Sequence, residues 1–316
     1  MRIVVIGSGA IGTLYGGWLL SGGADVAFVA RGARFDQISE VGIVLSGIAG
    51  ETIHRAVTVV RDAADLPPAD VLIFAVKTYD LDTAARAATH ALAPGGLVVG
   101  LQNGVDAAAM LGAVFDPGQV MVGPVYSAAT LGADGTVRYG GMRNDVVIGN
   151  ARGVSHPLAE SLVACWRAAG VAASISGDIQ ASLWTKFLFL ATNAALTCLS
   201  RQSAGVVYHD PWLLDLATRS IAEIAAVAKA EGVQLAPDAP AAALAILTGF
   251  PPDVVASMRQ DLDAGRRLEL EAISGTIVRL GRKHGLATPV HDVVYACLKP
   301  YVAGIPAPAI GRGDPA

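Results

Sequence analysis

Residues 7–12 read Gly-Ser-Gly-Ala-Ile-Gly and follow directly on Arg2-Ile-Val-Val-Ile6, a run rich in β-branched residues. A short apolar run without alternation suits a strand covered on both faces. The three glycines behind it have separate jobs. Gly7 permits the tight turn, Gly9 lets backbone approach a pyrophosphate, and Gly12 lets the next helix pack close to the sheet. A helix that starts here offers unpaired N–H groups to phosphate. Strand, turn, helix and N-terminal position agree, so the segment is read as a dinucleotide-binding turn, with Gly7, Ser8, Gly9, Ala10, Ile11 and Gly12 at the cofactor.

The rest of the first half is consistent with that turn. Strands are expected at Asp25–Ala30, Val71–Val76, Leu97–Gly100, Val120–Ala129, Thr136–Gly140 and Val146–Ile148, with a helix at Leu81–Leu92. Alternation of strand and helix implies a parallel sheet with helices on both faces. From about Asp178 only helical spacing remains, over 178–199, 210–231, 238–248 and 269–284, with Gly232 and Gly285 where C-terminal caps belong. Leu270, Ile273, Ile277 and Leu280 form one buried stripe. The fold class is therefore α/β: an N-terminal Rossmann-type dinucleotide-binding domain over 1–176, a C-terminal all-helical domain over 177–303, and a loose tail over 304–316.

Composition removes several functions. With 23 basic against 27 acidic residues the net charge is −4, so no basic excess exists to neutralise a nucleic acid. The mean hydropathy of +0.50 raises the question of a membrane. The most apolar stretch, Phe187–Leu199, is interrupted by Thr192, Asn193 and Thr197 and falls short of the roughly 20 residues a span needs, so it reads as a buried helix. The N-terminal run imitates a signal peptide, but glycines break it throughout. Cys165, Cys198 and Cys297 are far apart and odd in number, which speaks against a disulfide framework and for the cytoplasm. The six histidines (54, 90, 156, 209, 284 and 291) have no metal-ligand spacing, and no metal is expected. Cations are mostly arginine: only Lys77, Lys186, Lys229, Lys283 and Lys299 are lysines.

The end of the second strand bears on the choice of cofactor. An NAD site usually has an acidic residue there for the ribose 2′-OH. This chain has Ala30-Arg31-Gly32-Ala33-Arg34, and Asp25 lies at the wrong end of the strand. Arg31, with Arg34 as a second candidate, suits a 2′-phosphate, so NADP is favoured over NAD. The plainer alternative is a solvated loop arginine.

Further motifs match one family. Ala75-Val76-Lys77-Thr78 ends a strand, Leu101-Gln102-Asn103-Gly104 ends the next, and Trp184-Thr185-Lys186-Phe187 opens the helical half. Ser257-Met258 is followed by Asp261, Gly265-Arg266-Arg267, Glu269 and Gly275. With the glycine turn, this set resembles the ketopantoate reductase (2-dehydropantoate 2-reductase) family along the whole chain. The resemblance implies NADPH-dependent reduction of a 2-oxo acid to a 2-hydroxy acid, as from ketopantoate to pantoate in pantothenate biosynthesis. It makes Lys186 the proton donor, with Glu269 as a second catalytic group near the cofactor. It places Asn103 beside nicotinamide and substrate, Lys77 near the cofactor, Ser257 on the substrate and Ala129 along the cofactor channel. The expected partner is a small 2-oxo acid, and a homodimer is left open.

The chemistry supports these residue types independently. Hydride arrival at a carbonyl carbon leaves negative charge on oxygen, which a nearby cation or acid must meet. Beside Trp184, Phe187 and Phe189, Lys186 is expected to be buried and its pKa lowered. Plainer readings exist for each group. Lys186 and Lys77 also fit surface charges, Asn103-Gly104 a turn, Ser257 a local hydrogen bond, and Glu269 a solvated pair with Arg266.

One departure from the family pattern concerns the substrate. The family usually has asparagines four and eight residues after the lysine, where this chain has Leu190 and Ala194. Asn193 lies seven positions on, only about 20° off the lysine's face and roughly 10 Å along the axis, which makes it a substrate-binding candidate. Thr197 continues the stripe, and Arg201 beyond it is a candidate carboxylate clamp. The expected substrate is a 2-oxo acid with a more apolar or bulkier side chain than ketopantoate. Two alternatives stay open: another dehydrogenase of the same two-domain plan, and a non-enzymatic NADP-binding redox sensor.

Overall fold

The computed structural model describes residues 1–47, 50–140 and 144–304. The tail expected over 304–316 lies outside the described residues from 305 onward. The first elements are β1 (Arg2–Ile6), α1 (Ala10–Ser21), β2 (Asp25–Val29), α2 (Gly32–Val41), β3 (Ile43–Gly47), β4 (Gly50–His54), β5 (Thr58–Val60), β6 (Ala69–Phe74), α3 (Leu81–Ala87), β7 (Leu92–Gly100), α4 (Ala107–Gly112) and β8 (Val120–Val122). Then come β9 (Ala128–Leu131), β10 (Val137–Gly140), β11 (Val146–Ile148), α5 (Pro157–Ala168) and β12 (Ala173–Ile175). Helices follow alone: α6 (Ile179–Ser200), α7 (Ala204–Val207), α8 (Pro211–Ala230), α9 (Ala239–Thr248), α10 (Ser257–Asp263), a π-helical turn (Glu271–Gly275), α11 (Thr276–Lys283) and α12 (Pro289–Leu298). The chain divides into two compact units, Met1–Ser182 and Leu183–Ala316.

The first unit is built on a parallel sheet of order β5-β2-β1-β6-β7-β8. Strands β1, β6 and β7 are buried on both faces, with Val4, Leu72 and Val98 as fully covered as Val5, Ile73 and Val99, which explains their unbroken apolar runs. A second sheet, β4-β3-β10-β9, lies against α1. Close helix packing requires the glycines of α1. A Cβ at Gly16 would stand 2.5 Å from the Phe28 ring and one at Gly17 2.7 Å from Leu45 Cδ1. Gly16 and Gly17, two of the glycines that argued against a signal peptide, therefore form a packing face.

Within this first unit two expected elements differ. The long strand over Val120–Ala129 is two strands, because Gly123-Pro124 interrupts it and Pro124 has no N–H for a ladder. After the break, β9 leaves the central sheet and pairs antiparallel with β10. The helix over Leu81–Leu92 ends at Ala87, and β7 already begins at Leu92. Its register against β6 shifts between the Ala69–Leu92 and Val71–Leu97 pairs, so the Pro94-Gly95-Gly96 stretch is taken up as an irregularity inside the strand.

The second unit is helical. Its core includes Phe187, Leu188, Ala191, Ile221, Ile224, Leu247, Val294 and the whole stripe Leu270, Ile273, Ile277 and Leu280. Gly232 and Gly285 follow α8 and α11 with φ of 83° and 65°, the left-handed values that end helices. Among the described residues no helix is long and apolar enough to cross a membrane, and no cluster of His, Cys, Asp and Glu could hold a metal ion.

Candidate active site

In the central sheet the chain order reverses between β1 and β6. Ligands of open α/β sheets bind outside the carboxyl ends of the strands at such a switch point. The turn Gly7–Gly12 leaves β1 there, with Gly7 at φ 98°. A Cβ on Gly7 would come within 2.7 Å of the Val76 nitrogen, and one on Gly12 within 2.0 Å of the Gly7 carbonyl oxygen. Gly9 differs from both: a Cβ there would meet no protein atom within 4 Å. Nothing inside the fold demands glycine at position 9, whereas a ligand lying on the backbone would. Helix α1 starts with no side-chain cap and no acidic residue in its first turn, which suits a pyrophosphate.

The turn is braced from below. Ser8 Oγ donates to the Val29 carbonyl at 2.9 Å, and Thr13 Oγ1 donates to the Ser8 carbonyl at 3.1 Å. Arg34 donates from Nε to the Ser8 carbonyl at 2.9 Å and from its terminal nitrogens to Thr13 Oγ1 and the Gly135 carbonyl, each at 3.0 Å. Arg34 was a second candidate for a 2′-phosphate, but its guanidinium is committed to the turn itself. Arg31 is exposed, sits at the start of α2, and has no side-chain partner among the described residues. Asp25 pairs with Arg2 at the amino end of β2, away from the carboxyl edge.

Lys77 and Asn103 follow β6 and β7 at the same carboxyl edge. Gln102 joins them: its Nε2 donates to the Phe74 carbonyl at 2.8 Å and the Val76 carbonyl at 3.2 Å. Thr78 Oγ1 adds a bond to the Asn103 carbonyl at 3.3 Å. Sequence reasoning passed over Gln102, although a buried amide between two strand ends has few other uses. Ala129 lies in β9 of the second sheet, opposite Tyr139 and half-buried against the core of this unit.

In the helical unit, Lys186 projects from α6 and is only 7% exposed. Lys229, Lys283 and Lys299 are exposed and Lys77 is half-buried, so Lys186 is the buried lysine of the chain. Burial pulls its ammonium down to about 7, and the Glu269 carboxylate acts in the opposite direction. Glu269 is itself buried at 6% exposure, and Arg266 pairs instead with Asp261 at 2.8 Å, so Glu269 is no solvated partner of Arg266. Ser257 is the first residue of α10 and exposed, one position after the cap residue Ala256.

Asn193 is buried on the Lys186 side of α6, where its Oδ1 accepts from the Tyr208 hydroxyl at 2.9 Å. Nothing in the periodicity singled out Tyr208. Thr197 Oγ1 folds back onto the Asn193 carbonyl at 2.6 Å, so Lys186 and Asn193 supply the polar side-chain groups of the stripe. Leu190 between them is half-buried and Ala194 buried. Arg201 was a candidate clamp for a substrate carboxylate. Its Nη1 instead donates to Asp263 at 2.8 Å, and Arg259 joins the same carboxylate at 2.7 Å while donating to the Thr197 carbonyl. That cluster locks the end of α6 and occupies Arg201.

A family model described as ketopantoate reductase PanE/ApbA matches residues 3–153, and its C-terminal counterpart matches residues 178–302. The chain belongs to the ketopantoate reductase family. A 2-dehydropantoate 2-reductase of Halobacterium salinarum is 30% identical over 92% of this chain and 95% of that protein. The crystal structure of a family member from Ralstonia eutropha superposes with a TM-score of 0.88 at 30% identity, covering 96% of this chain and 98% of that one. A D-mandelate dehydrogenase solved with NADH and anilino(oxo)acetate has the same fold, at a TM-score of 0.87 and 22% identity over 96% of this chain and 98% of that one. As a member of the family, the protein is an oxidoreductase acting on CH–OH groups, a 2-hydroxy acid dehydrogenase working on small oxo acids with a nicotinamide dinucleotide. The plan of a different dehydrogenase class, and of a non-enzymatic sensor, gives way to that membership.

Proposed function

We propose that this family member reduces a 2-oxo acid to a 2-hydroxy acid with NADPH, and that its substrate has a more apolar side chain than ketopantoate. The observation that carries the reading is the buried Lys186 ammonium, lowered to about 7 with Glu269 opposing the shift. A group with that titration is protonated to a useful extent at neutral pH and gives up its proton readily.

The residues fit the cofactor. Gly9 leaves room for a pyrophosphate on the backbone, the bare start of α1 complements its charge, and the exposed Arg31 suits a 2′-phosphate. NADPH, when bound, supplies the hydride for the substrate carbonyl. Lys186 Nζ donates its proton to the carbonyl oxygen as negative charge develops there. Glu269 favours the charged form of Lys186 and so keeps the donor loaded. The Asn193 amide, oriented by Tyr208, is the polar contact left on the helix. Lys77, Asn103, Ala129 and Ser257 keep the roles that the family resemblance implies. Leu190 supplies an apolar wall where an asparagine is usual, and a substrate hydroxyl left unpaired against it costs about 1–3 kcal/mol.

Steady-state rates of NADPH oxidation with ketopantoate and with branched and aromatic 2-oxo acids, and NADH as a control, test the reading. The apolar 2-oxo acids are expected to have the higher kcat/KM. A clear preference for ketopantoate overturns the substrate assignment and places the enzyme in pantothenate biosynthesis, as the names of its relatives suggest. Lys186→Ala is expected to abolish turnover and retain NADPH binding; near-native turnover overturns the assignment of the proton donor.

A further inference from the structure

We infer that His291 is a positioning residue for the proton donor: a buried chain of four side chains running through it sets helix α6, which bears Lys186, against the π-helical turn that follows Glu269. The inference rests on the proposed role of Lys186.

The chain joins four elements of the helical unit. Thr192 of α6 meets Ser220 of α8, oxygen to oxygen, at 2.8 Å. Ser220 Oγ lies 3.0 Å from His291 Nε2 on α12, and His291 Nδ1 lies 3.2 Å from Ser274 Oγ in the π-helical turn. All four side chains are 0% exposed. Burial holds the imidazole neutral down to about 3, so one ring nitrogen donates and the other accepts at any working pH. The hydroxyls on either side rotate to match whichever tautomer is present.

Apolar side chains of the same shape would fill this space at little or no cost in stability. What they would not supply is direction. Thr192 lies six residues beyond Lys186 and one before Asn193 on the same continuous helix, while Ser274 lies five residues beyond Glu269. The chain therefore ties the segments that carry Lys186 and Glu269.

The π-helical turn needs such a tether. Its wide geometry rests on the Gly275 nitrogen bonding back to the Leu270 carbonyl at 2.9 Å and on Thr276 Oγ1 reaching the Glu271 carbonyl at 3.2 Å. Such turns are rare, and they occur frequently at functional sites. From outside, Tyr295 donates to the Glu271 carboxylate at 3.0 Å; from inside, Ser274 holds the turn to His291. Helix α12 has its own anchor, since Glu223 of α8 accepts from the Val290 and His291 nitrogens at 2.8 and 3.1 Å. Removing the imidazole therefore breaks the link to the turn and leaves α12 seated. Among charged groups, Glu223 on α8 accepts from the His291 backbone nitrogen, Asp292 follows His291 on α12, and Glu271 heads the turn that carries Ser274.

The small number of lysines makes the test direct. The full-length protein labelled with [ε-13C]lysine has five side-chain signals, which single substitutions assign. The midpoint of the Lys186 signal is followed against pH in the wild type, in His291→Leu and in Ser274→Ala. Both variants are expected to move it down by about half a unit or more, a factor of about three in the ionisation constant, because Glu269 supports the ammonium less well. Both are expected to lower kcat near neutral pH while KM for NADPH stays the same. A Lys186 midpoint unmoved in both variants, with only the melting temperature reduced, overturns the inference and leaves the chain a packing feature. Should His291→Leu fail to fold, Ser274→Ala decides alone, since it removes one oxygen and leaves every helix anchor in place. If Lys186→Ala retained turnover, the proton-donor reading would fall while the midpoint shifts still stood.

Discussion

The Glu269 carboxylate opposes the desolvation of the Lys186 ammonium within the helical unit, and the balance between them leaves that amine titrating near 7. Two buried groups, 83 residues apart in sequence, thus set the titration of one amine. The pair gives a prediction with a definite sign. Glu269→Gln removes the term that favours the charged form, so the Lys186 pKa falls further below 7. The basic limb of kcat/KM for reduction moves to lower pH, and activity at pH 8 drops about tenfold or more. The pH–rate profile of the variant against the wild type checks this, and an unmoved basic limb excludes Glu269 as the supporting charge.

Lys186 also affects stability. Its folded-state value of about 7 lies below the 10.5 of the unfolded chain, so between those limits the unfolded state holds a proton that the folded state does not. The cost of the buried lysine is fully present below about 7 and disappears as pH climbs through 10.5. Lys186→Met, which fills similar volume without charge, is expected to stabilise the fold by about 3–5 kcal/mol near pH 6.5 and by much less at pH 9.5. Urea unfolding of both proteins at the two pH values measures it. A gain independent of pH means that Lys186 is charged or neutral alike in both states.

Gly9 separates binding from folding. Its φ of −72° is open to any residue, and a Cβ there would meet no protein atom within 4 Å. Gly9→Ala is therefore expected to leave the melting temperature within about a degree of the wild type while weakening NADPH binding about tenfold or more. Gly12→Ala, whose Cβ would stand 2.0 Å from the Gly7 carbonyl oxygen, is expected to lower both. Calorimetric NADPH titration and thermal denaturation separate the two outcomes.

The glycine turn, the buried parallel strands and the helical half were legible in the sequence because each leaves a local mark: punctuation, an unbroken β-branched run, or the 3.6 period. Strands β3, β4 and β5 were not, since their half-exposed faces carry no clean alternation, as in the exposed Gly50–His54. The π-helical turn was read as ordinary helix, because Leu270, Ile273, Ile277 and Leu280 keep an apolar stripe through it. Lys186 and Glu269 were named as candidates through the family resemblance, and Lys186 also through the scarcity of lysine. Gln102, Tyr208 and His291 were not, because each acts through a partner far along the chain: Phe74 and Val76, Asn193, and Ser220 with Ser274. The partners of Arg201 and Arg34, Asp263 and the glycine turn, were hidden for the same reason.

Substrate choice is the last property that a single side chain can test. Leu190 stands one helical turn beyond Lys186, half-buried, at a position where the family resemblance implies an amide. Leu190→Asn restores a donor and acceptor there while Asn193 stays bound to Tyr208. A substrate hydroxyl that finds a partner instead of an apolar wall gains about 1–3 kcal/mol, which corresponds to roughly a factor of 5 to 150 in relative kcat/KM. The variant is therefore expected to shift preference toward ketopantoate and away from branched or aromatic 2-oxo acids, with KM for NADPH unchanged. Competition assays with mixed substrates read the ratio directly. If Leu190→Asn lowers kcat/KM equally for every 2-oxo acid, Leu190 supports the helix and does not read the side chain of the substrate.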